Sequence, residues 1–334
     1  VSEGRMSEDR LPPPSGWIIL DKPLEMGSTQ AVGAVKRNLR EAGYAKAKVG
    51  HGGTLDPLAT GVLPIAIGEA TKLAGRMLDA TKTYEFTIQF GTMTDTLDAE
   101  GTVIETSDRR PPAAALLAIC EAFTGEIEQV PPKYSALKID GRRAYDLARA
   151  GEDVEMTTRR VTIHALGPMG GQGQGVDVDS VFATTSGRPD PYDPGAPLEL
   201  MDSVTLEATV SKGTYIRSLA RDIAHALGTC GHVTYLRRTR AGPFGQHSAI
   251  SLDKLNEIGH GARLAEILLP LEAGLDDIPA LDLLPDQAEA VRQGRQLSGL
   301  TIPDGTVWAK CGGKPIALMD ISDGVARVLR GFNI

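Results

Sequence analysis

A carboxylate set among glycines and followed by proline is the first residue of this chain whose placement points to chemistry. Asp56 lies in KVGHGGTLDPLATG and is the only acid between Glu41 and Glu69. Pro57 keeps it out of the helical region, so a turn or extended backbone presents the side chain. The surrounding glycines suit backbone that approaches another molecule closely. A nucleophile or a base is what such a carboxylate offers, although Asp-Pro also opens plain turns; the residues alone leave both readings open. His51 in the same loop suits a structural hydrogen bond or a contact to a base or phosphate. Tyr84 opens the alternating segment KTYEFTIQFG, either as a core residue or as a ring offered to a planar ligand. Arg217 falls in the first turn of an expected helix, where a cation opposes the helix dipole, and that cost hints at a nearby anion. There is no Walker loop, no GxSxG and no paired Cys/His spacing. Cys120, Cys230 and Cys311 lie far apart and read as buried thiols, with no spacing that suggests zinc.

Several elements must hold these residues. The segment 16–20 (GWIIL) reads as a buried strand, and Ser28 as the N-cap of a helix that turns Val32, Val35 and Leu39 inward. Lys36, Arg37 and Arg40 then face outward, as solvated charge or as phosphate contacts. After the 48–61 loop come an apolar run at 62–67 and a helix at 69–78. The clearest strand is 82–91, with Tyr84, Phe86, Ile88 and Phe90 on one face. A helix at 113–123 precedes 129–151, a proline-led basic segment that reads as an arm. Residues 168–200 hold six Gly and five Pro and read as a poorly ordered inserted loop. A strand from 204, a turn at 212–214 and a helix at 215–227 follow. Without a regular βαβ repeat the fold class is α+β with a mixed, mostly antiparallel sheet. Short β segments at 306–310, 315–320 and 325–330 predict a small all-β appendage. The domains expected are thus a tail at 1–14, a catalytic body at 15–265 and a C-terminal domain at 270–334.

At 334 residues with 41% hydrophobic content and no apolar run of membrane length, the chain reads as globular. The polar stretch 1–14 lacks the apolar centre of a secretion signal, so a disordered tail and a cytoplasmic address are expected. The net charge of −8 argues against nucleic acid only as an average. Residues 36–76 carry seven Lys/Arg against three acids, 133–149 five against two, and 212–240 six against one. Between 79 and 108 one Lys stands against seven acids, so charge is segregated along the chain.

The blocks VGHGGTLDPLATGVLPIAIGEATK, KTYEF, GTMTDTLDAEG, VPPKYSALKIDGRRAYDLARAG, SKGTYIRSLARDIAHALG and HVTYLRRTR occur in this order over roughly 16–250. In residues and order they resemble the TruB family of pseudouridine synthases. The resemblance implies a pseudouridine synthase catalytic fold and isomerisation of uridine 55, in the T-loop of tRNA, with no cofactor and no metal. It implies that Asp56 is the catalytic carboxylate, Tyr84 stacks on the target base, Arg217 pairs with Asp56, and Leu236 lines the pocket. It makes His51 the wedge that fills the place of the flipped base. Lys22, Gly53, Thr54, Tyr215, Lys138 and Arg237 fall in or beside these blocks and are expected to contact substrate. The patches 36–40, 133–149 and 237–240 are expected on RNA phosphates, with 129–151 closing over the RNA. The C-terminal unit resembles in position and size the PUA-like domain of the family. Its six Lys/Arg against ten acids over 265–334 depart from an RNA-gripping surface. The partners implied are the tRNA T stem-loop, no membrane and no obligate protein, in a monomer. Guide-RNA-dependent relatives and an RNA-remodelling protein are the other readings, and the absence of basic tails disfavours the first.

Overall fold

The computed structural model describes residues 10–135, 137–139, 141–152, 155–169, 200–259 and 262–334. Of the expected tail at 1–14, residues 1–9 lie outside the described residues, while Leu11 pairs through its backbone with Gly43 and Ala45. Of the expected insertion at 168–200, residues 170–199 lie outside them, and Pro168 ends a strand. The fold is α+β and mostly antiparallel, with a β domain at the C-terminus. The chain forms two compact units, one from residues up to Asp79 together with Arg240–Ile334, the other Ala80–Thr239.

In the first unit the strand Gly16–Lys22 pairs antiparallel with Thr60–Ile67 along its whole length, from Gly16 opposite Ile67 to Lys22 opposite Gly61. Ile250–Ser251 adds in parallel to the free edge of the first strand, and Val49–His51 pairs antiparallel with the second. Both long strands are apolar without alternation, because both of their faces are covered. The helix Ser28–Glu41 turns Ala31, Val32, Val35 and Leu39 inward. Its N-cap is Gly27, not Ser28, and Gln30 Oε1 accepts the Gly27 N–H at 2.7 Å. The expected helix at 69–78 is a 3-10 turn, Gly68–Leu73, running into the α-helix Ala74–Asp79.

The C-terminal strands form one sheet in the order Ala280–Asp282, Gly305–Cys311, Lys314–Ser322, Val325–Gly331, Leu297–Ser298. With the helix Pro285–Arg292 it closes a core of its own around Val307, Ile316, Met319 and Ile321. It is not a free appendage, because a second core joins it to the opening strand. Trp17 lies beside Phe244, with ring centroids 5.2 Å apart, in a cluster that includes Leu271, Leu275, Ile278 and Phe332. The indole N–H donates to Leu271 O at 3.1 Å, and a Cβ at Gly274 would stand 2.7 Å from the ring. At the rim Lys72 donates to Gly331 O, Glu69 accepts from Lys72 and from the Asn333 N–H, and Arg76 pairs with Asp277.

The second unit holds strands in the order Gly231–Ala241, of which the part up to Thr239 belongs to it, Lys82–Phe90, Ser203–Val210, Arg159–Pro168, Gly125–Gln129. The period of two is visible in its register: Phe86 stands opposite Leu206 and Ile88 opposite Val204, all buried. The helices Leu116–Ala122 and Ile216–Ala226 bring Leu116, Leu219 and Ile223 into that core. On the other face Thr83 meets Thr209 at 3.1 Å and Thr87 meets Thr205 at 2.9 Å, cross-strand hydroxyl pairs that lock the register. The 129–151 arm contains the hairpin Lys138–Ile139 with Arg142–Arg143 and the helix Ala144–Arg149, built around Ala144 and Leu147. Among the described residues no helix is long and apolar enough to cross a membrane.

Candidate functional site

Asp56 begins a tight turn in which the Ala59 N–H donates to Asp56 O at 3.0 Å, with Pro57 preset for the second position. The loop before it is shaped by glycine. Gly53 adopts φ +138°, and a Cβ at Gly52 would come within 2.5 Å of Met77. Two side chains tie the loop down. Ser28 Oγ donates to Leu55 O at 3.0 Å and accepts the Leu55 N–H at 2.8 Å, which is why this serine does not cap its helix. Lys22 is fully buried, and its ammonium donates to Met26 O at 2.7 Å, Pro23 O at 2.9 Å and Pro57 O at 3.2 Å. Lys22 thus lies under the turn that presents Asp56, a half-buried residue. His51 ends the strand Val49–His51, and its Nδ1 stands 3.4 Å from the Gly53 N–H; Thr54 is exposed.

Arg217 is the second residue of the helix Ile216–Ala226 and only 5% exposed. Its Nη1 donates to Thr96 O at 2.7 Å and its Nη2 to Tyr134 O at 2.9 Å, and Asp98 Oδ2 lies 3.4 Å from Nη1. Asp98 therefore supplies an anion of the kind that the helix-dipole argument called for. It is itself held, since Asp98 Oδ1 accepts from Thr96 Oγ1 at 2.5 Å and from the Glu100 N–H at 3.1 Å. The helix start is fixed by Gln129, 1% exposed, whose amide accepts the Tyr215 N–H at 2.8 Å and donates to Tyr215 O at 3.2 Å. Ser218 Oγ donates to Val130 O, so the root of the 129–151 arm and the arginine helix are stitched together. Arg159 lies over the Tyr215 ring at 5.8 Å.

The first unit thus gathers Lys22, His51, Gly53, Thr54 and Asp56, and the second carries Tyr84, Lys138, Tyr215, Arg217, Leu236 and Arg237. Tyr84, opposite Ala208, and Leu236 are both half-buried at the margin of the same apolar core. Lys138 stands in the arm hairpin opposite Arg143. In the 237–240 patch Arg238 is 1% exposed, so this residue does not offer its charge to a phosphate at the surface. Sequence reasoning missed Asp98 and Gln129. The only signal for the first was the dipole cost at Arg217, and for the second there was none. Among the described residues no group of three or more His, Cys, Asp or Glu is placed to hold a metal.

Comparison with known proteins adds independent findings. The family model for the TruB family pseudouridylate synthase N-terminal domain matches residues 40–185, and that for the tRNA pseudouridylate synthase B C-terminal domain matches residues 217–276. The chain is 63% identical over 319 residues to the tRNA pseudouridine synthase B of Novosphingobium aromaticivorans, covering 96% of this chain and 97% of that one. It is 52% identical over 318 residues to the protein of the same name from Zymomonas mobilis, covering 95% and 96%. Its fold is similar to a chain in the structure of an H/ACA RNP bound to a substrate RNA containing 2′-deoxyuridine, with a TM-score of 0.66 and 23% identity over 96% of this chain and 85% of that one.

Proposed function

The chain belongs to the TruB family of pseudouridine synthases, and on that premise we propose that it converts the T-loop uridine at position 55 of tRNA to pseudouridine. The observation that carries the reading is the Asp56 turn, a carboxylate on a loop braced by Ser28 and by the buried ammonium of Lys22. Uridine and pseudouridine are isomers. The reaction breaks the bond between N1 and C1′, turns the uracil and joins C5 to C1′; the proton lost from C5 is matched by one gained at N1, so nothing is oxidised or reduced. Asp56 acts as the nucleophile or base of that sequence. Arg217, held by Thr96 O, Tyr134 O and Asp98, is the cation that the family resemblance assigns to the same reaction.

The target base leaves the loop stack at a cost of a few kcal/mol, and stacking on Tyr84 returns about 1–3 kcal/mol. Leu236 closes the apolar side of the pocket, while His51 occupies the place that the base leaves and Gly53 and Thr54 belong to the same substrate-facing loop. Tyr215, Lys138 and Arg237 contact the RNA, and the 129–151 arm folds over it. Lys22 positions the loop rather than touching substrate.

The test is tritium release from tRNA transcripts carrying [5-³H]uridine, wild type beside Asp56→Ala, with the modified position mapped by carbodiimide treatment and primer extension. Release that depends on Asp56 and maps to the T-loop is the expected result. Tight tRNA binding by the wild type without any release refutes the enzyme reading in favour of RNA remodelling.

A further inference from the structure

The basic residues on the outward side of the Ser28–Glu41 helix form the rim of a concavity. Arg10, Lys36, Arg40, Lys46 and Lys48 line a hollow of about 660 Å³, within the size range of ligand sites. All five are exposed. Glu41, the nearest acid in sequence, does not line it. Five cations drawn around one hollow repel one another unless an anion joins them, and they do so in a chain whose net charge is −8.

The floor differs in character from the rim. It is made by Leu39, Tyr44 and Val49 with two alanines, and Tyr44 is half-buried. This floor is built by backbone pairing: the Leu11 N–H donates to Gly43 O at 3.0 Å, the Ala45 N–H to Leu11 O at 2.8 Å and the Tyr44 N–H to Leu39 O at 3.1 Å. An apolar floor with an aromatic face and a cationic rim is unsuited to a bare inorganic anion, which asks for donors at its centre. It matches a nucleotide, whose base stacks while the backbone phosphates meet the cations.

We propose that this pocket holds a second, unstacked nucleotide of the RNA substrate, its base against Tyr44 and its flanking phosphates on Lys36, Arg40 and Lys48. The inference rests on the RNA substrate proposed above and adds a contact separate from the Asp56 loop. The two are close along the chain. From Lys48 to His51 is about 10 Å of extended backbone.

The test measures the affinity of an unmodified tRNA transcript by fluorescence anisotropy over a series of KCl concentrations, beside the turnover of the wild type. Tyr44→Ala and Tyr44→Leu are expected to weaken binding about tenfold and Tyr44→Phe not at all; the leucine variant keeps the apolar bulk and guards against simple loss of packing. Lys36→Ala combined with Arg40→Ala is expected to lower the slope of log affinity against log salt by about 1.4–1.8. A lowered slope with Tyr44→Ala and Tyr44→Leu at wild-type affinity makes the cations general phosphate contacts and overturns the nucleotide pocket. A wild type that makes pseudouridine while every variant binds normally overturns the pocket alone. A wild type that binds no tRNA overturns the pocket and the proposed function together.

Discussion

Replacing Lys22 by methionine separates a strut from a substrate contact. The side chain has no accessible surface, and its three N–H donors meet three main-chain carbonyls at 2.7, 2.9 and 3.2 Å. Hydrogen bonds to a charged group contribute about 1.5–3 kcal/mol each, and burying the ammonium costs several kcal/mol of that sum. Methionine keeps the length and apolar stem but strands the carbonyls. Pro57 is exposed and Pro23 and Met26 are half-buried, so water recovers part of the loss. The net destabilisation of Lys22→Met comes to about 2–4 kcal/mol. For a chain of this size that lowers Tm by about 3–6 °C. The turn loses one of its two anchors, and a misplaced Asp56 lowers kcat by about 10–100-fold with KM for tRNA little changed. Calorimetry beside tritium release reads both quantities. If Lys22 instead touched RNA, tRNA affinity would fall while Tm and kcat held, and that pattern refutes the argument.

Three further outcomes follow from the same contacts. Gln129→Leu orphans the N–H and C=O of Tyr215 and is expected to lose about 2–5 kcal/mol in urea unfolding; a loss below about 1 kcal/mol contradicts the assigned grip. Burial pushes the Glu69 carboxyl up, but the Lys72 hydrogen bond, the Asn333 N–H and the Lys72 charge outweigh it, leaving the group below its ordinary 4.5. Its contribution is therefore whole above that value and fades as pH falls through the lower folded one. The Tm gap between wild type and Glu69→Gln should persist from neutral pH to near 5 and close in acid, and a gap that widens in acid is the contrary result. Burial pushes the Cys120 thiol up to about 11, and burial followed by the charge of Glu105 raises Cys230. Iodoacetamide at pH 8 should thus label the half-buried Cys311 first by mass spectrometry, and early labelling of Cys120 counts against its burial.

What could be read in advance depended on how local its cause was. The alternation of 82–91 is legible because one face meets a core and the other carries threonine pairs, both direct consequences of a period of two. The runs at 16–20 and 62–67 are apolar on both faces, so sequence marks them as buried without stating their register. Ser28 has the residue type of a cap, but the Leu55 backbone, 27 residues away, claims its hydroxyl. The strands of 280–331 are visible one by one. Their shared core with Trp17 is not, because the indole finds its acceptor 254 residues along the chain.

The chemistry-bearing residue types were legible, while their braces were not. Asp56 and Arg217 stand out by type and position, whereas the groups holding the Asp56 turn and the Arg217 guanidinium are largely main-chain carbonyls, which have no residue signature. Asp98 is one of seven acids between 79 and 108, and nothing local distinguishes it. The same blindness misassigns cations. Arg217 and Arg238 sit in the basic 212–240 block and Lys22 next to Asp21, and all three are buried. A side chain with no route to solvent releases no counterion when RNA binds, so these three should leave the salt slope of binding unchanged even where their loss abolishes folding or turnover. Exposed cations such as Lys36, Arg40 and Lys48 set that slope instead. The charge count of a segment thus bounds its phosphate contacts from above, and burial sets how far below the bound the protein lies.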